Sequence, residues 1–252
     1  MQMWWAFLWL EVRRTLRNPR YLLFTLGFPA GFYLLFTMLY GGRNLGSGPA
    51  ATSFSTLYMV SMAAYGALGA ALNSNGAALA AERASGWSRQ LRVTPLPPAA
   101  YVLGKAAMAV LVALPALAAV AVLGVLVHHV HLTPTAWVGF ALGTWLGTIP
   151  FAILGVLIGY TLDPQSAQGG TMVVYFGLSI LGGMWFPYQI MPRGMQLVAQ
   201  VLPSYHFAQL GWNAAAGHWV GWRSILILLG YTALFGALAA RCYRRDEARE
   251  YA

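Results

Sequence analysis

The sequence predicts an all-α polytopic membrane protein. The expected plan has six transmembrane helices, an N-terminal helix lying in the membrane interface, a cytoplasmic helix between spans two and three, and short re-entrant external helices between spans five and six. Three observations carry this. Only 8% of the 252 residues are charged and 59% are hydrophobic, with a mean hydropathy of +0.60. Soluble domains average about 25% charged residues, so there is too little charge here to cover a water-facing surface. Second, no Asp, Glu, Lys or Arg occurs between Lys105 and Asp163, between Asp163 and Arg193, or between Arg193 and Arg223. A spanning helix needs about 20 mostly apolar residues, and the first gap has room for two. Third, the charges that do occur gather in a few segments that bracket these runs.

Taken in order, residues 1–20 carry Trp4, Trp5 and Trp9 beside Arg13, Arg14, Arg17 and Arg20. That pattern suits a helix lying in the interface with its aromatic side in lipid, broken by Asn18-Pro19; the alternative is that it simply begins the first span. The start does not read as a signal peptide, because its charges follow the apolar part. Span one is expected over about residues 21–40 and span two over about 52–80, the latter longer than a bilayer requires. Span three covers about 99–127, with Pro115 a kink that neighbouring helices can satisfy. His128-His129-Val130-His131 makes a turn, span four covers about 135–162, and span five follows Asp163-Pro164 as far as about 185.

Residues 186–221 are apolar but punctuated by Pro187, Pro192, Pro203, Gly211 and Gly217. Met195, Val198 and Leu202 suit a short helix ended by Pro203. Ser204 suits the cap of a second one that holds Tyr205, Phe207 and Leu210. Neither is long enough to span. Span six covers about 222–240, and a charged tail completes the single domain of residues 1–252. Six spans put both termini on one side. With the termini inside, the inner segments hold twelve of the fifteen basic residues (Arg13, Arg14, Arg17, Arg20, Arg83, Arg89, Arg92, Lys105, Arg241, Arg244, Arg245 and Arg249) and the outer ones three (Arg43, Arg193 and Arg223). Cytoplasmic loops carry the excess of Lys and Arg, so both termini are expected in the cytoplasm. The same rule accounts for the net charge of +9. No basic stripe interleaves with aromatics on a soluble face, so the bilayer is the expected partner and nucleic acid is not. A single cysteine, Cys242, excludes an internal disulfide.

Residues 81–105 stand apart, with Arg83, Arg89, Arg92 and the only lysine, Lys105, between two apolar runs. Glu82 is expected to begin a helix here, where a carboxylate favours the positive end of the dipole. Arg83, Trp87 and Leu91 then share one face, Gly86 leaves a gap beside Trp87, and Pro95, Pro97 and Pro98 end the helix. A docking helix and an interfacial loop anchored by Trp and Arg both fit this pattern. The chain lacks a phosphate-binding loop. Gly104-Lys105-Ala106 has neither a glycine five residues earlier nor a following Ser or Thr. Nor does it contain a nucleophile elbow or a HExxH helix.

The run Glu82-Arg83-x-x-Gly86, Leu91-Arg92-Val93-Thr94-Pro95-Leu96, Tyr101 and Lys105 resembles the signature of ABC-2-type permeases, the membrane subunits of ATP-binding-cassette exporters. The six spans and the broken stretch around Pro187, Met191-Pro192 and Leu202-Pro203 are similar as well. The resemblance implies that residues 81–98 are a coupling helix seated in a cleft of an ATPase subunit, with Glu82, Arg83, Gly86, Trp87, Leu91 and Arg92 at the contact. It also implies two ATPase copies that bind ATP and Mg, a second permease copy meeting this one along spans one and five, and a prokaryotic-type plasma membrane. No cofactor is expected on this chain itself.

Other groups of residues are weighed against simpler roles. Gly139, Gly143, Gly147, Gly155 and Gly159 form a small-residue stripe suited to close helix packing within the chain more than between chains. His128, His129 and His131 lack a nearby carboxylate or cysteine, so a polar turn is a better account than a metal site. Asp163 is expected to cap span five. Proton-relay acids sit deep within spans, and none of the six acids is expected there, which weighs against the alternative of a secondary transporter driven by an ion gradient. Tyr58, Met62, Tyr65, Met172, Phe176, Met184 and Phe186 offer an adaptable Met-and-aromatic surface for a greasy or amphipathic cargo; core packing is the plainer reading of each.

Overall fold

Ala, Gly and Ser dominate the second expected span, and small side chains let helix backbones approach closely in lipid. The computed structural model describes residues 23–41, 44–45, 52–86, 98–218 and 221–250, and in it that stretch is the central helix. A π-helical turn, Leu23–Gly27, leads into α1 (Phe28–Tyr40). A two-rung antiparallel hairpin follows (β1, Asn44–Leu45; β2, Thr52–Ser53), with Asn44 opposite Ser53 and Leu45 opposite Thr52. Then come α2 (Phe54–Ala84), α3 (Pro98–His128), α4 (Pro134–Leu146), α5 (Ile149–Thr161) and α6 (Pro164–Leu181). A 3-10 turn at Tyr188–Ile190 precedes α7 (Arg193–Ala199), α8 (Pro203–Ala215) and α9 (Trp222–Glu250).

Ser53 starts α2 by accepting the Thr56 amide on its hydroxyl, a cap that satisfies one of the four orphan donors. At about 1.5 Å per residue its 31 residues reach roughly 46 Å, against about 30 Å of bilayer hydrocarbon. α1, α3, α5, α6 and α8 all pack on it, and 94% of its most apolar window is buried. The glycines explain how so many helices fit. A Cβ on Gly155 would stand 2.8 Å from the Leu72 carbonyl, and one on Gly159 would stand 3.0 Å from that of Gly76. α4 uses Gly139, Gly143 and Gly147 in the same way, against Ala214, Leu210 and Phe207 of α8. The expected intramolecular role of the stripe is what these contacts show. α9 is the counterpart of α2: it lies against α5 and α8 with only 11% of its apolar window buried.

Among the described residues, four helices are long and apolar enough to cross a membrane: Phe54–Ala84, Leu103–His128, Pro134–Thr161 (α4 with α5) and Trp222–Arg245. Thr25–Tyr40 is a shorter apolar helix. Several expected boundaries need correcting. Span four is split at Gly147-Thr148, because Pro150 has no N–H and its ring excludes the carbonyl four residues back. Thr148 Oγ1 closes the break on the Trp145 carbonyl at 2.6 Å. Span five ends at Leu181, four residues early, where Gly183 takes φ +82° and the Met184 amide turns back onto the Ser179 carbonyl. The charged tail continues α9 to Glu250.

Pro115 lies inside an unbroken α3, and one turn before it Trp145 Nε1 donates to the Val110 carbonyl at 2.9 Å. Paired short helices after α6 are present as α7 and α8. Ser204, however, does not cap α8. Leu202 holds that position because Pro203 occupies the first helical residue, where a missing N–H costs nothing. The expected interfacial helix at 1–20 lies outside the described residues.

Candidate functional site

The charged residues of the second span collect at the end of α2 remote from Phe54. The over-long second span projects beyond residue 80, as its length suggests, and α2 runs through Glu82 and Arg83 to Ala84. Glu82 therefore stands in the last turn of a long helix instead of starting a new one, a correction to the expectation that it faces a helix N-terminus. Apolar packing sustains the extra turn, since Leu79 and Ala80 are both buried there. Gly86 then takes φ +74°, the left-handed conformation that ends helices, and its amide reaches the Arg83 carbonyl at 3.1 Å. Trp87, Leu91 and Arg92 lie outside the described residues.

Three polar ties hold this end together. Lys105 Nζ donates to Glu82 Oε1 at 2.6 Å, the lysine side chain 8% and the glutamate 20% exposed. The lone lysine at the start of span three suggests an anchor at the inner headgroups, but Lys105 is instead buried against α2. Two turns deeper along α2, Asn75 Nδ2 donates to the Lys105 carbonyl at 3.2 Å and the Ala152 carbonyl at 3.1 Å, so one buried amide bridges α3 and α5. Arg83 Nη1 donates to the Gly159 carbonyl at 2.9 Å, and its guanidinium stands 5.3 Å from the centre of the Tyr160 ring, within cation–π range. The small Gly159 lets α5 come close enough for Arg83 to reach a main-chain oxygen. Tyr160 in turn meets the Tyr243 ring of α9 edge-on.

Beside this cluster runs an open groove of about 550 Å³ lined by Arg83, Tyr160, Asp163, Cys242 and Arg245, among others. Asp163 caps α6 as expected, accepting the amides of Gln165 and Ser166 at 3.1 and 3.0 Å. The Ser166 hydroxyl and amide hold its carboxyl below the usual carboxylate range.

The Met-and-aromatic residues divide. Met62, Tyr65 and Met184 are sealed in the core. Tyr65 stacks on Tyr175 at 4.6 Å and meets Trp185 edge-on. Met172 and Phe176 are half-buried on α6. Phe176 and Trp185 join Phe28 and Phe32 of α1 in one ring cluster. Phe186 is exposed. Tyr58 lines a separate cavity at the Phe54 end of α2. At that same end, His128 lies edge-on to Tyr33, and among the described residues no three His, Cys, Asp or Glu side chains converge.

The sequence missed the ties of Asn75 and Lys105, and it missed the cavity. The Asn73-Ser74-Asn75 run inside an otherwise apolar span and the only lysine of the chain were the available signals.

The profile of a family described as ABC-2 family transporter protein matches residues 45–241. The chain is 32% identical over 238 residues to the putative transport permease YvfS of Bacillus subtilis (strain 168), covering 94% of this chain and 96% of that one. It is 24% identical over 144 residues, about half of each chain, to the daunorubicin resistance ABC transporter permease protein DrrB1 of Streptomyces coeruleorubidus.

Proposed function

The chain belongs to the ABC-2 family of transporter proteins, membrane permeases that work with an ABC ATPase subunit, and from that premise we propose that it is the pathway-forming subunit of an exporter. Two copies build the pathway across a prokaryotic-type plasma membrane, each with six spans and both termini in the cytoplasm. α1 and α6 serve as spans beside the four long apolar helices. Two ATPase subunits sit beneath, binding ATP and Mg. The excess of basic residues on the Glu82 side supports this orientation, which places α7 and α8 outside.

The observation that carries the mechanism is the Glu82–Lys105 pair. It joins the last turn of α2 to the third turn of α3, the two helices on either side of residues 87–97. An ATPase pushing on that connection, with Trp87 and Leu91 in its cleft, therefore meets α2 and α3 as one body. Asn75 extends the joint to α5. Glu82 and Arg83, already engaged within the chain, act as framework for the contact, while Gly86 frees the chain to turn towards the partner. The resulting movement of α2 opens the pathway past the ring cluster of Phe28, Phe32, Phe176 and Trp185.

A hydrophobic or amphipathic cargo fits that half-buried aromatic face and the lack of charge along it. The name of the DrrB1 relative, a drug-resistance permease, supports outward movement of a drug-like compound. The test is co-purification with the ATPase from native membranes, followed by ATP-driven transport in vesicles for Trp87→Ala and Leu91→Ala. The ATPase is expected to come down with the wild type, and transport to fall at least tenfold in both variants while folding is kept. No associated ATPase, or undiminished transport in both, would sink the assignment.

A further inference from the structure

At the Phe54 end of α2, a cavity of about 160 Å³ opens between α2, the 3-10 turn and α8. Its walls include Tyr58, Tyr188, Gln189, Tyr205, Trp212 and Asn213. The rings of Tyr188 and Tyr205 lie 4.9 Å apart, and Trp212 stands across Tyr205 at 6.0 Å, so the walls are flat π-faces. No Asp, Glu, Lys, Arg or His is among the described residues that line it.

The polar groups in this lining fall into two sets. Ser61 Oγ receives Trp212 Nε1 at 2.9 Å and itself donates to the Leu57 carbonyl, and the Tyr188 hydroxyl receives Gln200 Nε2 at 2.7 Å. These brace the walls. The side-chain amides of Gln189 and Asn213 make no hydrogen bond among the described residues, and the buried Tyr58 hydroxyl has no partner among them either. The buried Tyr58 hydroxyl wants a partner from elsewhere, whereas Gln189 is exposed and Asn213 half-buried, so their amides face the mouth of the cavity and are free to meet a ligand there.

These features narrow the ligand. An anion would find no cation in the lining and a cation no carboxylate, while a purely apolar group would leave the buried phenol and the half-buried Asn213 amide unanswered. Each carboxamide offers two donors and an acceptor, and a hydroxyl both donates and accepts, so hydroxyl groups satisfy the set. For size, a cavity of about 150 Å³ holds one benzene ring, so the space suits one six-membered ring and excludes a whole multi-ring molecule.

We propose that this cavity is a binding site for a neutral, hydroxylated six-membered ring of the pyranose type. The ring stacks on Tyr188, Tyr205 or Trp212 and hydrogen-bonds to Gln189 and Asn213. The site rests on the export reading only for its meaning. With α7 and α8 outside, it is where a sugar-bearing cargo pauses on leaving the pathway, or where a free sugar from outside binds.

The test uses the full chain in lipid nanodiscs with its ATPase bound, and saturation-transfer NMR as readout. The probes are phenyl β-D-glucopyranoside, methyl β-D-glucopyranoside and cyclohexanol. Both glucosides are expected to show saturation of the pyranose protons, and cyclohexanol much less. Asn213→Leu and Gln189→Leu should each weaken glucoside binding about tenfold, the loss of one or two hydrogen bonds. Tyr58→Phe, which keeps the ring, serves as the mildest variant and should weaken it several-fold.

Binding of the phenyl glucoside but not the methyl glucoside assigns the site to a cargo with an apolar part; equal binding assigns it to free sugar. Cyclohexanol binding as well as the glucosides, or glucoside binding unchanged in all three variants, overturns the proposal. No signal from any probe means ordered water only, and overturns it too. ATPase retention and ATP-driven transport, measured on the same preparations, report on the export reading separately. Lost sugar binding with intact coupling removes the site alone, and sugar binding without coupling removes the export reading alone.

Discussion

Lys105 and Glu82, 23 residues apart in the chain, meet at 2.6 Å across the ends of two helices. The lysine is buried, so its charge is carried at a cost that the glutamate offsets. Glu82→Gln is expected to lower stability by about 2–3 kcal/mol. That is less than the ~3–5 kcal/mol for removing one member of a fully buried pair, because Glu82 keeps some solvent. The double variant Glu82→Leu/Lys105→Met should recover most of the loss. Thermal unfolding in nanodiscs checks both. A double variant no more stable than the single one would show that the pair is not the source. If the joint transmits the ATPase stroke, the double variant should also stay folded yet transport poorly.

Asn75 joins three helices through one amide group. Asn75→Leu deletes two interhelical hydrogen bonds, worth about 0.6 kcal/mol each in membrane proteins, and leaves two carbonyls facing a larger apolar side chain. A total of about 1–3 kcal/mol is expected, read as a lowered Tm. A Tm unchanged from wild type would mean that the amide is not the bridge.

Glycines in contact and glycines in open space make a matched pair of tests. Gly155→Ala puts a Cβ 2.8 Å from the Leu72 carbonyl, and the forced shift of α5 against α2 should cost about 1–3 kcal/mol. Gly177→Ala meets nothing within 4 Å and should stabilise by about 0.4–1 kcal/mol through the unfolded chain. Equal Tm values for the two would contradict the close approach of α2 and α5.

Asp163 gives a pH signature. Its carboxyl is held below the ordinary value by Ser166. A group with a depressed folded pKa contributes stability above its unfolded pKa, about 3.9 for Asp, and that contribution is lost as pH falls through the folded value. Asp163→Ala should therefore melt below wild type at pH 7, by a margin that shrinks as pH falls below the ordinary carboxylate range. A difference that persists undiminished at low pH would point to packing instead of the cap charge.

Much of the bundle is readable in the sequence because hydrophobic length is a one-dimensional signal. The prolines at 95–98 and the histidine turn after 127 bounded α3 to within one residue at each end, and the Asp163-Pro164 turn announced the cap of α6. The glycines at 155 and 159 announced close packing, although not that α2 was the partner. The split at Gly147 escaped because hydropathy does not register the steric conflict of Pro150 with the preceding turn. Ser204 misled because capping preference ranks side chains and overlooks the proline before it. The pairing of Glu82 with Lys105 is a property of how two helices lean together, and no local window contains both residues.

The length of α2 has one more consequence. It is a stiff rod whose two ends serve different surroundings, Glu82 and Arg83 at one and Phe54 and Tyr58 at the other. A rod of roughly 46 Å that tilts by only about 3° about one end carries its far end through about 2.4 Å. That distance is comparable to the difference between an atomic contact and a gap that admits a water molecule. About the Glu82 end, the same tilt shifts Leu72, where Gly155 packs, by only about 1 Å, so the movement grows along the rod and is largest at the pocket on its tip.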